Sequence, residues 1–193
     1  MTTLGWIGLG RIGLPMASRL LSSGHQLLVH DLDPAKVGEM VLKGAAAAAS
    51  PNEIAARAAT IFTCVIDGRS LEDVLFGPDG LTSAASADTL LVDHTSIDPS
   101  ECRALAARAK SVCGLRMVDA PISGGGAVGV EGKLIGWLGG DAEDVERAKP
   151  FIAHYVAKAT HMGAIGQGQL SKSCNQFIVA STIALWSQML RYA

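Results

Sequence analysis

The segment GWIGLGRIGLPMA, residues 5–17, places glycines at positions 8, 10 and 13. These glycines stand where an apolar run over residues 4–9, typical of a buried strand, gives way to a helical pattern over residues 11–22. Glycine loses more conformational freedom on folding than any other residue, so a cluster at a helix start requires a specific reason. Either the backbone turns tightly there, or another group approaches it closely.

Strand and helix patterns alternate along the rest of the chain. Further strands are predicted over residues 26–30, 60–66, 89–93, 116–118, 133–138 and 157–161. Helices are predicted over residues 34–43, 70–76, 99–112 and 142–154, and residues 45–49 are expected to form a turn that leads into a short helix. Because strand, helix and strand repeat, the predicted class is α/β, a Rossmann-type doubly wound and mostly parallel sheet.

The pattern changes near the C-terminal end. Residues 169–192 form one long predicted helix that is rich in Ile, Ala, Leu and Trp. A helix this apolar needs a surface to cover it. We therefore expect one domain over residues 1–164 and a separate long helix over residues 165–193. The helix is covered either by further sequence or by another copy of the chain in a homodimer or tetramer.

The composition excludes several classes of protein. Hydrophobic residues make up 49% and charged residues 18%, which argues against disorder. The net charge of −2 and the lack of a basic run argue against nucleic-acid binding through phosphates. No apolar stretch is long enough to span a bilayer, and the first residues lack the features of a signal peptide, so we expect no membrane association.

The four cysteines are widely spaced and form no C-x-x-C pair. They are Cys64, Cys102, Cys113 and Cys174. We interpret them as reduced thiols of a cytoplasmic protein, each buried as a small apolar residue. Neither the cysteines nor His94 and His161 show metal-ligand spacing, so no metal is predicted.

A dinucleotide-binding turn accounts for the three glycines. Gly8 would allow the tight turn, Gly10 the close approach of a pyrophosphate, and Gly13 the packing of the helix on the sheet. The amides at the start of the new helix would then face the anion. The predicted cofactor-binding loop consists of Gly8, Leu9, Gly10, Arg11, Ile12 and Gly13.

A carboxylate at the end of the second predicted strand supports this interpretation. Asp31 follows Gly13 by 18 residues, where a carboxylate can accept both ribose hydroxyls of an adenosine. It would repel a 2′-phosphate, so we expect NAD and less readily NADP. The alternative is that Asp31 only starts a turn or caps the next helix, although Asp33 competes for the capping role.

Four segments, in order, resemble the β-hydroxyacid dehydrogenase family. GLGRIGLPMASRLLSSGHQLLVHD, residues 8–31, is similar to the N-terminus of the family. VDHTS, residues 92–96, resembles its V-D-x-S-T segment with the hydroxyl residues exchanged, and DAPISGG, residues 119–125, resembles its D-A-P-V-S-G-G substrate loop. GQG, residues 166–168, with Lys172 and Asn175, resembles its G-x-G-x-x-x-K-x-x-N helix start.

The resemblance implies that Lys172 is the catalytic acid and base. Asn175 and Gln176 follow it by three and four residues, so the three side chains share one helix face. The resemblance makes Asn175 and Gln176 substrate-binding residues, together with Ser123, Gly124 and Gly125 in a turn that offers amides to a carboxylate. Without the resemblance, Lys172 and Asn175 would be ordinary polar residues of a helix face, and the turn a tight loop between strands.

Two further predicted strands end in candidate cofactor contacts. Thr95 and Ser96 follow the strand over residues 89–93, and Val65, Ile66 and Asp67 lie at the end of the strand over residues 60–66. The carboxyl ends of parallel strands border the cofactor crevice in this kind of sheet. We therefore expect Ser96 near the nicotinamide ribose or substrate, and the Val65–Asp67 loop near the adenosine ribose.

The resemblance implies an NAD-dependent oxidoreductase for a small β-hydroxy acid, such as 3-hydroxyisobutyrate, or for a semialdehyde such as tartronate semialdehyde. Family members continue into an all-helical domain after the long helix, so residues 165–193 would be an interdomain helix whose domain is otherwise absent. Gln176 and Gln188 replace a common Asn and Glu, which leaves the substrate open. The alternatives are an imine or other semialdehyde reductase on the same fold, and a dinucleotide-binding or oligomerising module without catalysis.

Overall fold

The computed structural model describes residues 2–124, 129 and 131–192. Its strands are β1 (Thr3–Ile7), β2 (Gln26–His30), β3 (Ala46–Ala47), β4 (Thr60–Thr63), β5 (Leu90–Asp93), β6 (Arg116–Asp119), β7 (Ile122–Ser123), β8 (Leu134–Gly139) and β9 (Val156–Gly163). Its helices are α1 (Gly13–Ser22), α2 (Pro34–Leu42), α3 (Pro51–Arg57), α4 (Gly68–Phe76), α5 (Pro99–Cys113), α6 (Ala142–Ile152) and α7 (Gln167–Met189), with a 3-10 helix at Leu81–Ser83.

Local capping chemistry fixes where several helices begin. The side chains of Asp33, Ser50, Asp67 and Asp98 each accept a hydrogen bond from a backbone N–H in the first turn of the helix that follows. Three of these helices, α2, α3 and α5, also carry proline in the first turn, where the missing N–H leaves no bond unmade. The predicted capping role of Asp33 is therefore confirmed.

The sheet has the strand order β3-β2-β1-β4-β5-β6-β8-β7, with β9 paired to β8. The six strands from β3 to β6 are all parallel and follow the order 3-2-1-4-5-6 of a dinucleotide-binding sheet. Their carboxyl ends lie along one edge, so the loops after β1, β2, β4 and β5 meet there. The predicted Rossmann-type, mostly parallel sheet is confirmed.

The sheet departs from the sequence expectations in three places. Strand β8 runs antiparallel to both β6 and β7, whereas the strands from β3 to β6 are all parallel. Residues 46–47, predicted as a turn, form the short edge strand β3 beside β2. The strands predicted over residues 4–9 and 60–66 end at Ile7 and Thr63, since the chain turns into the crevice loops there.

Apolar cores lie on both faces of the sheet. One packs α1, α2 and α6 against the sheet through residues such as Met16, Met40 and Val145. The other packs α3, α4 and α5 through residues such as Ile54 and Leu71. The central strands β1, β4, β5 and β6 are buried on both faces, which explains their nearly continuous apolar sequences.

Helix α7 leaves the body of the fold after its first turn. Gly168 and Gln169 are its only buried residues within the part of the chain that the structure describes. Large apolar side chains lie exposed along the rest of it, among them Phe177 at 76% and Trp186 at 61% exposure. An exposed apolar surface of this kind is unusual for a monomeric protein and is typical of a protein–protein interaction site.

Candidate cofactor and substrate site

The glycine-rich loop after β1 has the geometry that its sequence predicts. Gly8 has φ +94°, and a Cβ there would overlap the carbonyl oxygen of Cys64. A Cβ on Gly13 would overlap the carbonyl oxygen of Gly8, so helix α1 passes directly over the turn. The indole N–H of Trp6, a residue of β1, donates to the same Gly8 carbonyl at 2.9 Å and so fixes the turn to that strand.

The surroundings of Gly10 differ from those of the other two glycines. No heavy atom lies within 4 Å of a Cβ placed on Gly10, so the backbone there borders open space. Helix α1 begins beside it, and its N-cap residue, Ile12, provides no side-chain cap. Backbone N–H groups at an uncapped helix start attract an anion. The loop therefore fits a pyrophosphate, with Gly10 as the point of close approach.

Asp31 connects the end of β2 to the glycine-rich loop. Its Oδ2 accepts a hydrogen bond from the Leu9 amide at 2.5 Å, and its Oδ1 accepts one from the Asp33 amide at 2.8 Å. The Lys36 ammonium lies 4.0 Å from Oδ1. Asp31 does not cap α2, which leaves its remaining acceptor positions for a ligand at the crevice edge.

The loops after β4 and β5 are joined to each other. The Val65 amide donates to the Thr95 hydroxyl at 3.2 Å, although Thr95 itself is buried. Ile66 and Ser96 are exposed at the crevice edge. Asp67 caps α4 by accepting from the Ser70 amide at 2.8 Å, and these hydrogen bonds lower the pKa of the Asp67 carboxyl. That capping role was not predicted, and a cofactor contact by Asp67 stays a prediction.

A buried carboxylate lies beneath the loop after β5. Asp93 Oδ1 accepts from the Thr63 hydroxyl at 2.7 Å and from the Thr95 amide at 3.1 Å. Its Oδ2 has no hydrogen-bond partner among the described residues. Burial, with a smaller contribution from the nearby Asp119 carboxylate, raises the pKa of Asp93 to about 6 against the lowering effect of these hydrogen bonds. Asp93 therefore holds the loop but resists ionisation.

We expect Asp93→Asn to stabilise the protein at pH 7 and above, by up to about 3 kcal/mol, since one pKa unit corresponds to about 1.4 kcal/mol. Because the folded state holds the proton more tightly than the unfolded state, the stability that Asp93 provides is complete below pH 3.8 and is lost as the pH rises toward about 6. Asn keeps the acceptor for Thr63 and does not titrate. Urea unfolding between pH 4 and 8 measures the difference.

Asp88→Asn, an exposed site, is the matched control for that measurement. Asp88 lacks the burial that raises the Asp93 pKa, so its substitution should not reproduce the effect of Asp93→Asn. An Asp93→Asn advantage that is equal at pH 4 and pH 8 would show that Asp93 ionises freely in the folded protein.

Asp119, at the end of β6, anchors the start of α7. Its two carboxylate oxygens accept from the Gly166 amide at 2.6 Å and the Gln169 amide at 2.7 Å. A negative charge is favourable at a helix N-terminus, while burial raises the Asp119 pKa to about 6 against the effect of these bonds. Sequence analysis quoted Asp119 in a motif but assigned it no role.

Gln169 links the same helix start to the loop after β5. Its side-chain N–H donates to the Thr95 carbonyl at 2.6 Å, and its side-chain oxygen accepts from the Ile97 amide at 3.2 Å. Sequence analysis missed this residue. The available signal was a glutamine in the first turn of a helix that has no capping side chain at its N-cap, Gly166.

Lys172, Asn175 and Gln176 meet on one face of α7. The Lys172 ammonium donates to the Gln176 side-chain oxygen at 3.0 Å, and the Asn175 side-chain N–H donates to the same oxygen at 3.5 Å. Partial burial lowers the pKa of Lys172 from its ordinary value. The predicted shared face is therefore present, with an amine that gives up its proton more readily than a surface lysine.

The predicted substrate turn differs in part from the structure. Ser123 lies in the short strand β7, paired antiparallel with Ile135 of β8, rather than in a turn, because the chain returns directly beside β8. Gly124 is exposed directly after it, with φ +128°. Gly125 lies outside the described residues. A substrate-binding role for these residues stays a prediction.

A buried aromatic network lies under the crevice. His94 Nδ1 contacts the Ala120 carbonyl at 2.7 Å and Nε2 contacts the Tyr155 hydroxyl at 2.9 Å, while the ring stacks near Trp6 and Phe62. Burial lowers the His94 pKa to about 4. The imidazole is therefore neutral near pH 7 and acts as a packed, fully hydrogen-bonded support for β5 and β6.

A metal-ion cluster and a membrane-spanning helix are both absent from residues 2–124, 129 and 131–192. No group of three or more His, Cys, Asp or Glu side chains there is arranged to hold a metal ion. None of the helices over residues 2–124 and 131–192 combines the length and hydrophobicity needed to cross a membrane.

The loop geometry and strand order agree with a known family of domains. The family model of the NAD-binding domain of 6-phosphogluconate dehydrogenase matches residues 3–163. The chain belongs to this family. The match extends from β1 to the end of β9, so the glycine-rich loop, Asp31 and the loops after β4 and β5 all lie in an NAD-binding domain.

Two relatives of this chain are named as reductases. The chain is 36% identical over 185 residues to 3-sulfolactaldehyde reductase of Escherichia coli (strain K12), covering 96% of this chain and 62% of that protein. It is 37% identical over 190 residues to 2-hydroxy-3-oxopropionate reductase of the same strain, covering 98% of this chain and 64% of that protein.

A solved structure of a relative has the same fold as this chain. 3-Hydroxyisobutyrate dehydrogenase of Mycobacterium tuberculosis, described with L-serine, superimposes with a TM-score of 0.87 at 33% identity. The alignment covers 93% of this chain and 60% of that one. The chain thus spans about three fifths of the length of the relatives that it matches.

Proposed function

We propose that this chain is the cofactor-binding part of an NAD-dependent oxidoreductase. Its substrate would be a small β-hydroxy acid of the 3-hydroxyisobutyrate type, or the matching semialdehyde. The observation that carries the proposal is the Lys172–Asn175–Gln176 group on α7, whose first turn is bonded to the loop after β5. The names of the relatives support the class of reaction.

The chemistry assigned to this chain is proton transfer and orientation. NAD, when bound, supplies a carbon that accepts hydride from the substrate carbon. The neutral amine of Lys172 takes the proton of the substrate hydroxyl as hydride leaves, and its ammonium returns a proton to the carbonyl oxygen in the reverse direction. Asn175 and Gln176 hold the amine and the reacting oxygen in place. Ser123, Gly124 and Gly125 would bind the substrate carboxylate.

The residues around the crevice fit the cofactor. Gly10 leaves room for the pyrophosphate, and the uncapped start of α1 offers N–H groups to it. Asp31 would accept the adenosine ribose hydroxyls, with Val65, Ile66, Asp67, Thr95 and Ser96 along the rest of the crevice. The proposed domain organisation is a cofactor-binding domain over residues 1–164 and a separate long interdomain helix over residues 165–193.

The exposed apolar face of α7 supports association of the protein. We propose that its side chains from Phe177 to Leu190 are covered in a homodimer or tetramer. The proposed setting is the cytoplasm, where the four free thiols stay reduced. The mass of the free protein in solution, at increasing concentration, tests the association directly.

Titration of the chain with NADH and NADPH tests the cofactor proposal. We expect NADH to bind at least about tenfold more tightly, a difference of about 1.4 kcal/mol, because the Asp31 carboxylate repels a 2′-phosphate. Asp31→Ala should weaken NADH binding and narrow the gap to NADPH. Tryptophan fluorescence or calorimetry gives both affinities.

Asp33→Ala is the matched control, because Asp33 caps α2 through the Ala35 amide but does not contact the glycine-rich loop. It should leave the ratio of the two affinities unchanged. Equal binding of NADPH would refute the preference for NAD, and binding of neither cofactor would refute the proposed role of the crevice. A panel of β-hydroxy acids, semialdehydes and cyclic imines on a form of relatives' length then separates the candidate reactions.

A further inference from the structure

Two buried side chains connect the segments that form the proposed site. Asp119 joins β6 to the start of α7 through the amides of Gly166 and Gln169. Gln169 joins α7 to the backbone of Thr95 and Ile97, on either side of Ser96. All four hydrogen bonds run between different elements of the fold, so they fix relative positions and not merely the helix itself.

We propose that Asp119 and Gln169 act as positioning residues that set the place of Lys172 against the Thr95–Ile97 loop. The reaction assigned to Lys172 rests on the proposed function above; the positioning itself rests on the contacts. Lys172 follows Gln169 by three residues, less than one turn of a rigid helix. A shift of the first turn therefore moves the ammonium by a comparable amount.

The position of helix α7 depends on these hydrogen bonds more than that of a helix with a buried apolar face would. Gly168 and Gln169 are its only buried residues within residues 2–124 and 131–192, and its N-cap has no side-chain bond. The helix approaches so closely that a Cβ on Gly168 would lie 2.5 Å from the Trp137 carbonyl oxygen and 2.7 Å from Asp119 Oδ2. Within a single copy of the chain, the described residues therefore hold the start of α7 chiefly through this polar and backbone contact.

Asp119 is suited to this task because it only accepts hydrogen bonds. Its two oxygens receive the Gly166 and Gln169 amides, and the negative charge faces the positive end of the helix. An Asn in its place has one accepting oxygen and one donating amide, so one backbone N–H would face another donor. The first turn must then shift or open, which admits water toward Lys172.

The titration of Lys172 reports this effect without cofactor or substrate. Lysines of the 193-residue chain are labelled with ¹³C-methyl groups and followed by NMR as the pH rises. In the parent protein, partial burial lowers the Lys172 pKa. In Asp119→Asn and in Gln169→Leu, we expect it to move up toward the ordinary lysine value. The signals of Lys133 and Lys158, which are exposed and lie outside α7, serve as internal references.

Ser173→Ala is the matched control. Its hydroxyl donates to the Gln169 carbonyl at 2.9 Å, a bond that lies entirely within α7. Removing this bond should leave the Lys172 titration unchanged. A Lys172 pKa that shifts equally in the control would show general loosening of the helix and overturn the proposal.

The proposal can still be tested if one variant does not fold. If Asp119→Asn does not fold, Gln169→Leu decides, because it keeps the buried carboxylate and both backbone donors to it. A folded Gln169→Leu protein with the parent titration of Lys172 overturns the proposal. In a form of relatives' length, kcat should fall on the order of 10²-fold in either variant, as expected for misplacement by about 1 Å.

Failure of the proposed function can be distinguished from failure of the positioning role by measuring both turnover and the Lys172 titration. No turnover by the parent protein with any hydroxy acid or semialdehyde refutes that function, whatever the lysine titration shows. A normal parent turnover with an unmoved Lys172 titration in both variants refutes the positioning role alone.

Discussion

Lys172→Ala should lower kcat by about 10²- to 10⁴-fold, the usual contribution of a positioned general acid or base. The affinity for NADH should stay within about twofold, because Lys172 lies on α7 and takes no part in the glycine-rich loop. The measurement uses steady-state kinetics on a form of the protein extended to the length of its relatives, with a NADH titration on the 193-residue chain.

The pH dependence of oxidation adds a second readout. The neutral amine is the base in this direction, so the rate should rise with pH and level off above the pKa of Lys172. Partial burial lowers that pKa, so the midpoint of the rise should lie below pH 10.5, the ordinary lysine value. Small primary amines added to Lys172→Ala should restore part of the rate, since they can occupy the space of the missing side chain.

Lys158→Ala is the control for this prediction. Lys158 is exposed on β9 and its removal also deletes one positive charge. Its kcat should match the parent protein. If Lys172→Ala retained the parent turnover, Lys172 would have no place in the mechanism, and another group would have to transfer the proton.

Gly13→Ala should destabilise the protein by about 1–3 kcal/mol or more, the range for overpacking at a tight contact. The added Cβ would overlap the Gly8 carbonyl oxygen, a backbone atom that moves only if the whole turn moves. In an exposed helix position, the same substitution would stabilise by about 1 kcal/mol, because alanine is the better helix former. The sign of the change therefore distinguishes packing from helix propensity.

Gly10→Ala is the matched substitution within the same loop. Nothing lies within 4 Å of its Cβ, so urea unfolding should show a stability close to that of the parent protein. Binding of NADH should weaken by about tenfold or more, since the methyl group takes the space where the pyrophosphate approaches. Unfolding and NADH titration on both variants separate the two roles.

The opposite pattern would contradict this assignment. A stable Gly13→Ala protein would mean that α1 does not pass over the Gly8 turn as described. Unchanged NADH binding by Gly10→Ala would mean that the pyrophosphate lies elsewhere.

Most elements of the fold could be predicted because their signals are local. The glycines at 8, 10 and 13, the capping Asp33, and the apolar runs of β1, β2 and β5 each depend on residues close in sequence. The antiparallel β8 could not be predicted in this way, because strand direction depends on which neighbour a strand meets. The edge strand β3 was missed because two alanines carry no strand preference of their own.

The candidate site likewise contains residues that local sequence spacing predicted and residues that it did not. Lys172, Asn175 and Gln176 are neighbours on one helix face, so their spacing alone placed them together. Asp119 and Gln169 lie far apart in sequence from the groups they bind, as does Asp93 from Thr63, and no local pattern indicates those partners. Their importance depends on burial, which removes water as a competing partner.

The sequence by itself determined the α/β class, the dinucleotide-binding turn, and the set of polar residues on the start of the last helix. These features follow from backbone conformation and from spacings of three or four residues. The tertiary structure alone decided which strands pair, where α7 is anchored, and why the pKa values of Asp93 and Asp119 are raised. The physical reason is that hydrogen bonds across the fold, and the loss of water around a buried charge, exist only once distant segments have come together.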